Sequence, residues 1–286
     1  MNSILSTKLI RAGLAIFVLL LISQCALFQK AYAEEASSGD VEVLDTLRVF
    51  NWNIRHGRGM DNVVDIRRQA EVIRSKNLHI VTLQEVDKGV RRTSRIDLMK
   101  VFSGYLGMEP VFHKIMAHQG GDFGNGILVN LPLISDRNLL YVSAEGVQRG
   151  LQQVEVLFHG DTLAIMNTHL DHRSETDRQS SVEQIIETKR AYRRSPVILA
   201  GDINARPDTE VVARLNEFFV DVWDVVGDGP GYTARPNDPN RRIDYIFYTN
   251  NLTRDGGIRL RPIKIEVVQT EASDHLPIYA EFEVYR

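Results

Sequence analysis

Six times along this chain a short apolar run ends at, or opens from, Asn, Asp, Glu or His. Asn53 closes the run that begins at Leu47, and Glu85 follows Val81-Thr82-Leu83-Gln84. Asn167-Thr168-His169 follow Leu163-Ala164-Ile165-Met166, and Asp202 and Asn204 follow Val197-Ile198-Leu199-Ala200-Gly201. Asp244 sits within Arg242-Ile243-Asp244-Tyr245-Ile246, and Asp274-His275 precede Leu276-Pro277-Ile278. Runs this short and this rich in Val, Ile and Leu read as strands. One acid at a strand end is ordinarily a cap or turn residue. Six such places constrain the fold further, because strands of one sheet can bring their ends together into a single polar rim.

The remaining pattern predicts the scaffold for that rim. Residues 47–53, 80–84, 127–130, 152–158, 163–168, 197–200, 242–248, 263–268 and 278–284 read as strands, with a hairpin around His159-Gly160-Asp161. Residues 62–76 carry Val63, Ile66, Ala70 and Ile73 at helical spacing behind Asp61 as the cap. Residues 175–193 form a second helix with Val182, Ile185 and Ile186 inward, and residues 208–218 a third, capped by Asp208. Strands and helices alternate, yet hairpins occur as well. That mixture predicts stacked β-sheets with helices outside, a layered α/β sandwich, and 286 residues allow it to be one domain.

The N-terminus reads differently. Lys8 and Arg11 precede an apolar run from Ala12 to Ser23, and Ala31-Tyr32-Ala33 is a small-x-small cleavage pattern. Residues 1–33 are expected to be a secretory signal peptide, residues 34–46 an acidic linker, and residues 47–286 the catalytic domain. The product would be periplasmic or extracellular, or membrane-anchored if the leader is kept. The leader holds Lys8, Arg11, Lys30 and no acid, so its loss takes the formal charge from −3 down by three to −6. It also removes Cys25, the sole cysteine, and with it any thiolate nucleophile or Cys-based zinc site. A net negative chain lacks the strongly basic balance of a dedicated nucleic-acid binder, although a local basic patch would serve a nuclease.

The rim residues define a chemistry. Oxygen ligands from Asp, Glu and Asn suit Mg²⁺, with Mn²⁺ as the alternative, and Mg²⁺ needs only one or two carboxylates plus substrate phosphate. A cation with His and Asn donors binds a phosphate and stabilises charge developing on it. Asp274-His275 offers a carboxylate beside an imidazole able to act as base or phosphate ligand. Asp202 and Asn204 also fit an Asx-type turn, which is compatible with a catalytic role. The histidines His56, His79, His113, His118, His159 and His172 have no partner in the sequence and read as structural or solvated. Trp223 and Tyr232 fit a stacking role, but aromatics in such positions are more often core.

The strings Phe50-Asn51-Trp52-Asn53-Ile54, Leu83-Gln84-Glu85, Asn167-Thr168-His169-Leu170-Asp171, Gly201-Asp202-Ile203-Asn204, Arg242-Ile243-Asp244-Tyr245-Ile246 and Ser273-Asp274-His275-Leu276-Pro277, in this order, resemble the endonuclease/exonuclease/phosphatase superfamily over about residues 47–286. The resemblance implies a DNase I-like fold: a four-layered α/β sandwich with two central mixed β-sheets flanked by helices. It also implies roles. Glu85 resembles the main metal ligand, helped by Asn53, with Asp274 beside the same metal site. Asp202 resembles the group that positions or deprotonates the attacking water, and Asn204 a phosphate contact. His169 resembles a phosphate-binding or leaving-group-side donor, and Asp244 an acid supporting the metal–phosphate site. His275, paired with Asp274, resembles a contact to the scissile phosphate.

Gln84-Glu85-Val86-Asp87 with Arg91-Arg92-Thr93-Ser94-Arg95, Gly124-Asn125-Gly126-Ile127-Leu128, and Gln148-Arg149-Gly150 are similar to the metal-dependent hydrolase branch of that group. Arg92, Asn125 and Arg149 are accordingly candidate substrate-binding residues. Arg92 would belong to a basic lip, which a merely solvated loop also explains, and Arg149 would aid the transition state. The expectation is a Mg²⁺-dependent hydrolase of phosphodiester or phosphomonoester bonds in nucleic acid or lipid headgroups, monomeric and without an implied protein partner. The competing reading is a binding module that reuses the fold for phosphate ligands without catalysis.

Overall fold

The computed structural model describes residues 42–250 and 256–286. The expected signal peptide and residues 34–41 of the expected linker lie outside the described residues. No helix among the described residues is long and apolar enough to cross a membrane.

Among the described residues twelve strands form two six-stranded sheets. In chain order they are β1 Val43–Asn53, β2 Ile80–Lys88, β3 Glu109–His118, β4 Gly121–Val129, β5 Leu133–Leu140, β6 Gly150–Phe158, β7 Asp161–His169, β8 Val197–Asp202, β9 Val220–Asp221, β10 Asp244–Thr249, β11 Arg259–Val267 and β12 Ile278–Tyr285. The helices are α1 Ile66–Arg74, α2 Leu98–Leu106, α3 Glu175–Lys189, α4 Glu210–Asn216 and α5 Val222–Val226. The first sheet runs β11-β12-β1-β2-β4-β3 and the second β5-β6-β7-β8-β10-β9. Each has one central parallel pair, β1 with β2 and β7 with β8, and is otherwise antiparallel.

Alternation along the strands builds the layers, since successive side chains point to opposite faces. Leu47, Val49 and Ile80 of the first sheet share one core with Val154, Ile165, Ile198 and Ile246 of the second. Their neighbours Phe50, Trp52, Val81 and Leu83 instead pack on Ile66 and Ile73 of α1 and Leu98 and Phe102 of α2. On the opposite side, Ala164, Met166, Leu199 and Phe247 pack on Val182, Ile185 and Ile186 of α3 and Val212 and Leu215 of α4. The molecule is therefore the four-layered α/β sandwich expected, with two mixed sheets inside.

Toward one end the layer between the sheets turns polar. Gln84 Nε2 donates to Asn51 Oδ1 at 2.8 Å and across the interface to Asn167 Oδ1 at 2.7 Å. Asn167 Nδ2 donates to the carbonyls of Leu83 and Gly126 at 3.0 and 2.9 Å. Buried amides matched in this way fix the register of one sheet on the other, because a slip would leave them unpaired.

Several boundaries differ from the sequence reading. β1 begins at Val43, so the expected linker's last four residues are strand. The first helix starts at Ile66 under Asp65, whose carboxylate accepts from the Arg68 amide. Asn62 has a φ of +63°, which helix cannot accommodate, and Val63 is exposed; Asp61 pairs with Arg68 instead of capping. α4 is capped by Thr209 rather than Asp208, and the second predicted helix ends at Lys189 before a 3₁₀ turn over Arg190–Tyr192. Trp223 packs against the inter-sheet core and donates to the Gly229 carbonyl at 3.0 Å, a structural role.

Candidate active site

The central strands deliver their last residues to one pit. β7 ends at His169, and β8, parallel to it, ends at Asp202 in direct register. β10 begins at Asp244, paired in register with Asp202. β1 ends at Asn53, beside Gln84 on β2. Glu85 comes next, but there the β2–β4 register shifts between Leu83 and Val86, and Glu85 adopts a φ of +58°. The bulge turns Glu85 into the pit at a conformational cost, a combination frequent beside active sites. The segment before β12 is tied in by Ser273 Oγ donating to the Asn53 carbonyl at 2.7 Å and by Trp52 Nε1 donating to the His275 carbonyl at 2.8 Å.

Asp202 is the hub, only 1% exposed. Its Oδ2 lies 3.0 Å from Asn53 Nδ2, 3.4 Å from His169 Nε2 and 3.8 Å from His275 Nε2. Its Oδ1 accepts the Asn204 amide at 3.0 Å, so the Asx turn is present, and the Asn204 side chain donates to the Leu170 carbonyl at 3.0 Å. Asn53 Nδ2 also lies 3.4 Å from Glu85 Oε1 and so bridges the two carboxylates. His275 Nδ1 lies 2.8 Å from Asp244 Oδ2.

The two histidines beside Asp202 carry different charge. A guanidinium only donates, so Arg149 Nη1, 3.1 Å from His169 Nδ1, requires a lone pair there. Burial and Arg149 hold His169 well below the usual imidazole range. His169 is thus neutral with its proton on Nε2, directed at Asp202. Burial would lower His275 too, but Asp244 and Asp202 outweigh it and raise it to about 10. Burial and the facing Asp244 carboxylate push Asp202 up to about 7, against the pull of His275, Asn53 and the Asn204 amide. Asp202 and His275 therefore titrate as a coupled pair. Glu85 behaves oppositely: burial opposes its ionisation, yet the neighbouring His56, the charge of His275 and Asn53 keep it below the ordinary carboxylate range.

The other sequence candidates fall in distinct places. Asn125 on β4 lies opposite the Glu85 bulge, buried, with Nδ2 lacking a partner in the structure. Arg149 immediately precedes β6, reached through a loop whose Ala144, Glu145 and Gly146 amides donate to Asp177 and whose Val147 amide donates to Asp171. Asp274 is half-exposed and pairs with Arg55 at 3.3 Å rather than touching Glu85. Arg92 makes a two-pronged pair with Asp87 at 2.8 and 2.9 Å and lies over the Phe123 ring, contacts outside the pit. His56, read as structural from sequence, lies 3.8 Å from Glu85 Oε2. Its signal was its position just after a rim strand, in Asn53-Ile54-Arg55-His56-Gly57.

Two cation sites are conceivable from these donors. Glu85, partly open at 27% side-chain exposure, supplies a hard charged oxygen beside Asn53. Asp202, Asp244 and His275 also hold ligand atoms within 4.8 Å of one another. The first fits a hard divalent ion better, because its carboxylate is ionised and reachable, whereas Asp202 and Asp244 are each 1% exposed.

The model of the Endonuclease/Exonuclease/phosphatase family matches residues 50–275. Similar solved structures include an endonuclease/exonuclease/phosphatase from Beutenbergia cavernae, at 23% identity over 84% of this chain and 72% of that one with a TM-score of 0.69. A mannosyl-6-phosphatase from Bacteroides thetaiotaomicron aligns at 17% identity over 82% of this chain and 99% of that one, TM-score 0.66. Truncated TDP2 from Caenorhabditis elegans aligns at 20% identity over 83% and 97%, TM-score 0.62. At these identities the likeness is one of fold. No curated protein matches the chain.

Proposed function

The chain belongs to the endonuclease/exonuclease/phosphatase family, whose members are hydrolases acting on phosphoester bonds, and from that premise we propose that it is a Mg²⁺- or Mn²⁺-dependent phosphodiesterase exported from the cytoplasm. The observation that carries the reading is the convergence of Asn53, His169 and His275 on one oxygen of Asp202, with Glu85 linked through Asn53. A binding module has no use for a buried carboxylate with raised proton affinity, whereas hydrolysis needs a proton acceptor.

The roles follow from the atoms. Glu85, oriented by Asn53 Nδ2, would hold the cation, which when bound neutralises charge on the phosphate. Asp202 orients the attacking water and takes its proton as the water oxygen bonds to phosphorus and the bond to the leaving oxygen breaks. Protonated His275, neutral His169 through Nε2–H, and Asn125 through its free amide donate to phosphate oxygens. Asp244 holds His275 protonated and oriented, and Arg149 fixes the His169 tautomer.

The test is a panel of plasmid DNA, RNA, sphingomyelin, phosphoinositides, a sugar 6-phosphate and a generic phosphodiester, assayed with Mg²⁺, Mn²⁺ and EDTA. Cation-dependent release of product from a diester supports the proposal. Tight binding of phosphate esters without turnover in any metal would instead establish the binding-module reading. Export is tested by N-terminal sequencing from envelope and medium: a start at Glu34 is expected, and retention of residues 1–33 would mean a membrane anchor.

A further inference from the structure

The cation end of the pit contains a side chain that hydrolysis as described does not use. His56 is 9% exposed, and its Nδ1 is buried without a hydrogen-bond partner. That atom lies 3.8 Å from Glu85 Oε2, too long for a hydrogen bond. Two ligand atoms each about 2.0–2.2 Å from one ion stand roughly 3–4 Å apart, and the observed gap falls in that span.

The backbone is bent to bring His56 there. Arg55 and His56 follow one another at φ of +45° and +47°, a region that L-residues other than Gly and Asn visit rarely. The bend is held from several sides. Asn53 Oδ1 accepts the Arg55 amide at 3.1 Å, the Gly57 amide donates to Ile54 at 2.9 Å, and Arg55 pairs with Asp274. Gly57, at φ +87°, sits where an L side chain would be strained, and a Cβ there would fall 2.1 Å from Ile66 Cδ1 and force it to move. A solvated or merely structural histidine needs none of this; strain of this kind gathers at functional sites.

We infer that His56 Nδ1 is a nitrogen ligand of the cation held by Glu85, and that it makes the site discriminate for transition ions such as Mn²⁺ against Mg²⁺. The inference rests on the reading of Glu85 as cation holder. An imidazole nitrogen is a softer donor than the carboxylate oxygen of Glu85, and it gains more from a transition ion than from Mg²⁺, which prefers oxygen.

The test uses the purified chain and binding alone. Mg²⁺ and Mn²⁺ affinities are measured by calorimetry for wild type, Glu85→Gln and His56→Asn, and bound Mn²⁺ is examined by pulsed EPR. Asn tolerates the left-handed backbone and puts an oxygen where Nδ1 stands, so His56→Asn exchanges the donor type while preserving the turn. Expected are ¹⁴N coupling to Mn²⁺ in wild type that is reduced in His56→Asn, and a fall of about tenfold or more in Mn²⁺ affinity with that for Mg²⁺ nearly kept. An unchanged affinity ratio, tighter binding of both ions, or no ¹⁴N coupling in wild type overturns the inference alone. A wild type that binds neither ion, or a Glu85→Gln variant that binds both normally, overturns the Glu85 reading and the inference together.

Discussion

The two sheets are laid out alike but finished differently at the rim. Each brings a central parallel pair to the pit, β1–β2 on one side and β7–β8 on the other. The first pair ends in a bulge that turns Glu85 into the pit, where it keeps 27% side-chain exposure among polar and basic neighbours. The second runs in unbroken register to Asp202, which β10 faces with Asp244, each 1% exposed. One carboxylate is thereby kept charged and the other is given a raised proton affinity. Exposure and the sign of the nearest charge decide between these outcomes. A single scaffold used twice thus yields a cation end and a proton end a few ångströms apart, bridged by Asn53.

The strongest way to break that division is Asp202→Asn. The amide keeps the shape and the contact with the Asn204 backbone but takes no proton. We expect kcat to fall about 10²–10⁴-fold with substrate affinity little changed, read by steady-state kinetics and direct binding. A raised KM at unchanged kcat would make the proton end a binding end. Glu85→Gln attacks the other side and should act differently: cation affinity should fall about 10–100-fold or more with the fold intact, so that excess cation restores part of the rate. Full activity at limiting Mg²⁺ would remove Glu85 from the cation end.

The proton end was the more legible of the two in sequence. Asp202, Asp244 and His169 stand at the ends of plain apolar runs, so strand periodicity alone brings them to one rim, and the superfamily resemblance supplied the fold. The cation end depends on irregular backbone. Glu85 could be named from its motif, but the bulge that aims it has no periodic signal. His56 was read as structural or solvated because its partner is distant in sequence and meets it only through a turn of two left-handed residues. The same blindness to local dihedrals misplaced the caps: Asp61 stands ahead of Val63 and so of the whole apolar pattern, yet Asn62 cannot be helical. β3 opens on Glu109-Pro110, and β5 is a largely exposed edge, so neither shows the apolar run that reveals a strand.

The smallest effect sharpens the comparison, because it concerns Arg149, the guanidinium beside His169 at the proton end. Arg149 sets the tautomer of His169, and Arg149 is delivered by a loop whose Val147 amide donates to Asp171 Oδ2 at 2.8 Å. The other oxygen of Asp171 accepts the Arg173 and Ser174 amides at 2.6 and 2.7 Å. Burial would raise Asp171, but these amides and Arg149 outweigh it and hold the carboxyl at about 2, against 3.8 ordinarily. With the folded value depressed, the ionised group contributes stability that is complete above the ordinary value and is lost as pH falls through about 2. Asp171→Asn should therefore lower Tm by a few degrees at neutral pH, and the gap to wild type should close as the solution is acidified, followed by calorimetry. Turnover should drop only severalfold, since Arg149 keeps its charge and loses only the firmness of its loop. A Tm gap that stays constant down to acid pH would mean that the loop is held by packing and not by the charge of Asp171, and Arg149 would then be as rigid in the variant as in the wild type.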